Sequence, residues 1–355
     1  AVRPHFEEGG KLRLLNPVFG ALEHFFFAPS TTTLGAPHVR DPMDLKRFMS
    51  MAILSVVPCA LAALYFFGLR FIAMVVVSYA AGLTVEALFA MIRKEGINEG
   101  FFVTGILYPL VLPPNLPLWL VALGVAFGVF VGKELFGGTG RNVFNPALVG
   151  RCFLSLAYPK IMAASYPEPG RDLVGRLLTW SVDAVSSATP LAAAKQGEMA
   201  ATSHMFLGSV PGSAGETSAL LIIFGGVFLL LTRVANWRTV MSILGSFIVL
   251  TGVLVARGKI IYPMPGVLGP VLWHVFAGGL LFGAFFMATD PVTGPTTNGG
   301  KWFYGIIIGS TTALIRNFTG YVEGVTFAIL LGNIVAPILD EIVIWGRIRR
   351  LKREG

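Results

Sequence analysis

Hydrophobic residues in this chain come in unbroken runs, without the alternation of a half-buried strand or the stripe of a surface helix. Runs of spanning or near-spanning length cover residues 48–67, 71–92, 118–131, 218–231, 241–255, 266–288 and 324–345. A bilayer core takes about 20 residues of helix, so these runs predict transmembrane helices. Segments 101–112, 143–157 and 303–315 are shorter and fit either a span or a re-entrant piece. The pattern predicts an all-α integral membrane protein of about ten crossings. Residues 48–345 form its membrane domain, 1–47 an N-terminal arm, 158–216 a polar outer loop and 346–355 a basic tail.

Composition agrees with a bilayer: 54% of residues are hydrophobic and 13% charged, about half the charge of a soluble domain. The net charge of +8 does not predict a nucleic-acid partner, because the cations punctuate the ends of apolar runs and form no patch interleaved with aromatics. They concentrate on one side, at Arg40, Lys46, Arg47, Arg93, Lys94, Lys133, Arg141, Arg233, Arg238, Lys301 and the C-terminal tail. By the positive-inside rule both termini are cytoplasmic, and segment 158–216 lies outside. The first span follows a long charged arm, which predicts targeting by that span without a cleaved signal. Within the arm, residues 16–27 fit an interfacial helix or a packing arm. Cys59 and Cys152 cannot supply the four thiolates of an iron–sulfur cluster, and a structural disulfide is not expected, although a site shared with another subunit stays open.

Two polar loops interrupt the apolar pattern: Phe136-Gly-Gly-Thr-Gly-Arg-Asn-Val-Phe-Asn-Pro146 and Asp290-Pro-Val-Thr-Gly-Pro-Thr-Thr-Asn-Gly-Gly300. Each follows an apolar helix and precedes a short one, which predicts a two-half repeat with broken or re-entrant helices. The first loop has no preceding strand and no Walker lysine, so it is not a phosphate cradle. Its glycines permit irregular backbone at membrane depth, beside protein, a cofactor or a water cavity. Asn142 and Asn145 both donate and accept, as the edge of an isoalloxazine ring requires; capping of the following helix is the alternative.

Acids in apolar surroundings are costly and therefore paired or functional. Glu86 and Asp340 stand inside runs, while Glu134 and Asp290 end others. Any of them offers the oxygen ligands that a hard cation such as Na⁺ prefers. For Glu134 and Asp290, helix capping or pairing with Lys133, Arg141 or Lys301 is the favoured role. Glu86 has the stronger case as an ion site, with Arg93 two turns away as its alternative partner. His274 is expected to hydrogen-bond between helices.

The segment Asp183-Ala-Val-Ser-Ser-Ala-Thr189 also reads as a turn with a helix cap. It resembles the flavinylation motif, Asp-x-x-Ser/Thr-x-Ala-Thr, of the membrane subunits of the sodium-pumping NADH:quinone oxidoreductase and its Rnf relatives. Asp183, Ser186, Ala188 and Thr189 match it. His38-Val-Arg-Asp-Pro-Met-Asp-Leu-Lys-Arg47, Asn98-Glu-Gly-Phe-Phe-Val-Thr104, the run 133–151, Pro211-Gly-Ser-Ala-Gly-Glu216 and Phe286-Met-Ala-Thr-Asp-Pro291 extend the resemblance to the B-subunit family over nearly the whole chain.

The resemblance implies FMN joined through its phosphate to Thr189 by a flavin transferase, riboflavin held at Asn142 and Asn145, and a quinone site at Gly82 and Glu86. It implies Na⁺ uptake through Glu86, Asp290 and Asp340. It also implies association with the other subunits of an oxidoreductase complex in the bacterial inner membrane. Ala188-Thr-Pro-Leu191 and residues 290–298 read closer to the D subunit of the Rnf relatives, which serve ferredoxin and NAD⁺. Ser187 stands where glycine is frequent, and Gly82-Leu83 replaces a glycine pair associated with the quinone site. A channel or transporter without redox function is the alternative of another class.

Overall fold

The computed structural model describes residues 45–94, 100–167, 180, 188–208, 210–258, 266–319, 321 and 324–354. Among them the regular structure is helical, without a sheet. Helices α1 (Leu45–Phe67), α2 (Leu69–Arg93), α3 (Gly100–Leu110), α4 (Leu118–Gly132) and α5 (Pro146–Ala157) form a first group; a 3₁₀ turn, Glu134–Phe136, follows α4. Short helices α6 (Pro159–Ala164), α7 (Pro190–Lys195) and α8 (Thr202–Leu207) lie in the polar segment. A second group comprises α9 (Ala219–Leu231), α10 (Trp237–Ala256), α11 (Leu268–Phe276), α12 (Leu280–Met287), α13 (Asn298–Phe318) and α14 (Val325–Glu354). The N-terminal arm, with its interfacial-helix expectation, lies outside the described residues, and so do Asp183 and Ser186.

Among the described residues five helices are long and apolar enough to cross a bilayer: Arg47–Phe67, Leu69–Arg93, Leu118–Phe136, Trp237–Ala256 and Val325–Arg353. The run expected as one span at 266–288 is instead two helices bent by 66°. Gly278 makes the bend, with φ at 62°, a conformation open to glycine because it has no Cβ. The run at 218–231 gives a helix of 13 residues, about 20 Å long against a core of about 30 Å. The basic tail continues α14 as helix.

Packing relies on small residues, as it does where lipid removes the hydrophobic drive between helices. A Cβ at Gly128 of α4 would lie 2.3 Å from the Pro146 carbonyl oxygen of α5. One at Gly305 of α13 would lie 1.7 Å from Ser242 Oγ of α10, and Ser246 Oγ donates to the Gly305 carbonyl at 3.3 Å. In the first group α4 lies against α2 and α5; in the second, α13 lies against α10 and α14; α1 and α9 pack across the two. One large apolar core runs through both groups, and a smaller one, Leu191, Met205, Val210, Trp273 and Ala277, sits under α7 and α8.

The two polar loops do not occupy equivalent places. The first joins α4 to α5, the fourth and fifth helices of their group, whereas the second joins α12 to α13. What they share is one cavity.

Candidate functional site

That cavity opens to its surroundings, with about 750 Å³ of empty space, open solvent included. Residues far apart in sequence wall it: Met49 of α1, Thr104 of α3, Lys133 at the end of α4, Asn142 and Asn145 of the first loop, Phe286 of α12 and Asp290 of the second loop. The two asparagines and Asp290, selected separately in the sequence, therefore meet.

Asn145 does both things expected of it as alternatives. Its Oδ1 accepts from the Ala147 and Leu148 amides at 3.0 and 3.4 Å and so caps α5. Its Nδ2 meets only the weak acceptor Met287 Sδ, at 3.7 Å, in the π-helical stretch Gly283–Met287. Asn142 instead stabilises its own loop, accepting from the Gly140 amide at 3.3 Å and donating to the Phe144 carbonyl at 3.2 Å. Thr139, which gives no signal of its own inside the glycine-rich loop, also lines the cavity, and its buried hydroxyl has no hydrogen-bond partner there. A polar atom left so beside a cavity is suited to a ligand.

The acids differ from their expected pairings. Glu86 is bound by Lys133 at 2.8 Å, not by Arg93. Arg93 takes Glu134 at 2.8 Å and also donates to its carbonyl. Both exchanges follow from the 3₁₀ turn, which carries Lys133 and Glu134 back over the end of α2. Asp290 folds onto its own turn, accepting from the Val292 amide at 3.0 Å and Thr293 Oγ1 at 3.1 Å. Asp340 clamps the second loop: Oδ2 accepts from the amide and hydroxyl of Thr296, Oδ1 from those of Thr297. Gly82 lies one turn before Glu86, and a Cβ there would fall 2.3 Å from Phe101 Cζ. His274 is buried, its carbonyl accepting from Arg316 Nη1 at 2.8 Å.

Thr189 lies apart from that cavity, in the polar segment. It caps α7, accepting from the Ala192 amide at 3.4 Å. Its half-buried side chain faces a pocket of about 330 Å³ shared with Leu191, Met205, Glu216, Phe276 and Gly278. Close approach of α7 to the break in the second group requires Gly278, where a Cβ would meet Leu191 Cδ1 at 2.7 Å. Behind the pocket Glu216 pairs with Arg151 of α5 at 3.1 Å, with side chains 2% and 4% exposed, and Arg151 also donates to Ser213 Oγ at 3.2 Å. Arg151 stands one or two turns past the cap at Asn145, so α5 links the two regions. The break before α12 abuts the threonine pocket and the π segment abuts the asparagine cavity, which sets the regions on the order of 10–15 Å apart along that helix.

The chain resembles known proteins along its whole length. The sequence profile of the NQR2, RnfD, RnfE family matches residues 32–348. The B subunit of the Na⁺-translocating NADH-quinone reductase of Klebsiella pneumoniae (strain 342) is 37% identical, with all of this chain and 98% of the relative covered. Its counterpart from Pseudomonas paraeruginosa is 37% identical with the same coverage. That of Chromohalobacter salexigens is 36% identical, over 100% of this chain and 95% of the relative. The alignment to the Klebsiella protein runs over 416 positions against 355 residues here, so the relative carries segments that this chain lacks. On the profile and on identity along its full length, the chain belongs to the NQR2, RnfD, RnfE family.

Proposed function

We propose that the chain is the B-type membrane subunit of a Na⁺-translocating NADH:quinone reductase, relaying electrons from FMN on Thr189 to riboflavin and then to quinone as Na⁺ crosses the membrane. The observation that carries the reading is the convergence of Asn142, Asn145, Thr139 and Lys133 on one cavity, set a short helix away from the pocket of Thr189. The flavins supply the redox chemistry; the residues supply position and electrostatics. Asn145 Nδ2 and Thr139 Oγ1 would bind the ring of a non-covalent flavin, and Thr189 Oγ1 would carry the phosphoester of the covalent one. Gly82 and Glu86 mark the quinone side. Glu86 and Asp290 serve ion uptake, with Asp340 acting through the loop it clamps.

The orientation that suits this function puts both termini and the asparagine cavity on the cytoplasmic side of a bacterial inner membrane, with Thr189 outside. Ten helices in two related halves, with the bent pair counted as one, fit the recurrence of the same neighbours: the second helix of each group packs against the fourth, and the fourth against the fifth. The other subunits of the complex and a flavin transferase are the required partners. A D-type subunit of an Rnf complex is the second reading, favoured by Ala188-Thr-Pro-Leu191. The test is mass spectrometry of the peptide spanning Thr189, with extraction of non-covalent flavin and assay of quinone reduction by the purified complex. An unmodified peptide from a host containing the transferase would refute the covalent site, and flavin without quinone reduction would favour the Rnf reading.

A further inference from the structure

Lys133 connects two features that are otherwise separate. Its ammonium sits 2.8 Å from Glu86 Oε1, with the two side chains 4% and 5% exposed. It also lies 5.8 Å from the centroid of Phe101, a ring whose place depends on the bare backbone of Gly82. The same lysine lines the cavity of Asn142, Asn145 and Asp290. One flexible side chain thus reaches a buried acid and the wall of the cavity proposed for the non-covalent flavin. Lysine suits such a position, being a compact charge on a four-carbon stem, where arginine would grip a carboxylate through two parallel hydrogen bonds.

We propose that Lys133 is a tethered cation that competes with Na⁺ for Glu86, holding the acid when no ion is bound and withdrawing into the adjoining cavity when Na⁺ takes its place. The inference rests on the reading of Glu86 as a sodium-uptake acid. A carboxylate buried at this depth is costly without a counter-charge. Exchange of one cation for another keeps Glu86 neutralised in both states, so neither state holds a bare charge. The displaced ammonium enters a cavity whose wall also carries Asp290 and Asn142. Arg93 cannot take over its role at Glu86, because Glu134 holds it.

The experiment measures equilibrium binding of radioactive Na⁺ to the detergent-purified complex, and the Na⁺ concentration for half-maximal quinone reduction, in the parent, Lys133→Gln, Lys133→Arg and Glu86→Gln. Lys133→Gln removes the competitor and should tighten Na⁺ binding about tenfold, the ratio set by ~1.4 kcal/mol. Lys133→Arg should weaken it, because the guanidinium leaves the carboxylate less readily. Opposite shifts from two changes at one position are not what a packing role produces. If Glu86→Gln binds Na⁺ as the parent does, the reading of Glu86 as the uptake acid fails, and the competition fails with it. If Glu86→Gln binds weakly while both Lys133 variants match the parent, the competition alone is overturned. Should Lys133→Gln not assemble, Lys133→Arg decides: weaker Na⁺ binding supports the proposal, and unchanged or tighter binding overturns it.

Discussion

In the proposed function the asparagine cavity and the threonine pocket each hold a flavin, and they are built differently. The cavity, about 750 Å³ of empty space with open solvent included, lies between five helices, the end of α4 and three loops. The threonine pocket is less than half as large, about 330 Å³, and its hydroxyl stands on a six-residue helix. A ligand held without a covalent bond must recover the entropy lost on binding from contacts, so it needs a walled site. A tethered ligand is already at high effective concentration and needs orientation more than affinity. The difference in construction is what one anchored and one unanchored flavin would require.

Thr189→Ala presses that contrast hardest. Covalent flavin should disappear completely, while the non-covalent flavin in the distant cavity stays at its parent level. Losing the cap of α7 costs on the order of 1 kcal/mol, too little to unfold the chain. Flavin quantified separately in denatured protein and in the supernatant checks both halves; loss of the two together would mean that the sites are not independent.

Arg151→Met attacks the link between the regions. It strands Glu216 as a buried carboxylate without its partner, a loss of about 3–5 kcal/mol for pairs of this kind. Thermal unfolding of the purified complex should fall sharply, and both flavins should become less well retained. Adding Glu216→Gln removes the stranded charge and should restore much of the stability. A double variant no better than the single one would show that Arg151 acts through packing alone.

Much of this architecture is legible in the sequence, and what is not has physical causes. Apolar runs placed the helices because a bilayer demands long stretches with satisfied backbone. They could not show the 66° bend at 277–279, since Gly278 sits in an apolar run and the neighbour it approaches, Leu191, is far away in sequence. Asn142 and Asn145 are legible as carboxamides in a glycine-rich loop and Asp290 as an acid ending an apolar run, but their shared cavity depends on helix order and not on spacing. The exchange of partners between Glu86 and Glu134 was hidden in the same way, because a 3₁₀ turn of three residues decides it. Thr139 gave no signal, being one hydroxyl among glycines.

Gly278→Ala examines the threonine side at lower cost. The change adds backbone strain at positive φ, on the order of 1–3 kcal/mol, and pushes on Leu191, two residues from Thr189. Covalent flavin should fall in proportion to the displacement of α7, with the cavity flavin retained. Full flavinylation with normal stability would show that attachment does not depend on the seating of that helix.

The finest separation is available at Asn145, where one carboxamide caps a helix and faces the cavity. Asn145→Leu removes both functions, so it should lose about 1 kcal/mol of stability along with the non-covalent flavin. Asn145→Asp keeps an acceptor for the Ala147 and Leu148 amides, removes the N–H donor that meets Met287 Sδ and adds a buried negative charge in its place. The cap is kept but the unpaired buried charge lowers stability, and non-covalent flavin should decline with covalent flavin unchanged. Thermal unfolding and flavin extraction on the same preparation decide the matter. If the aspartate variant keeps all of its flavin, Asn145 is a cap and nothing more, and recognition in the cavity passes to Thr139 and Asn142.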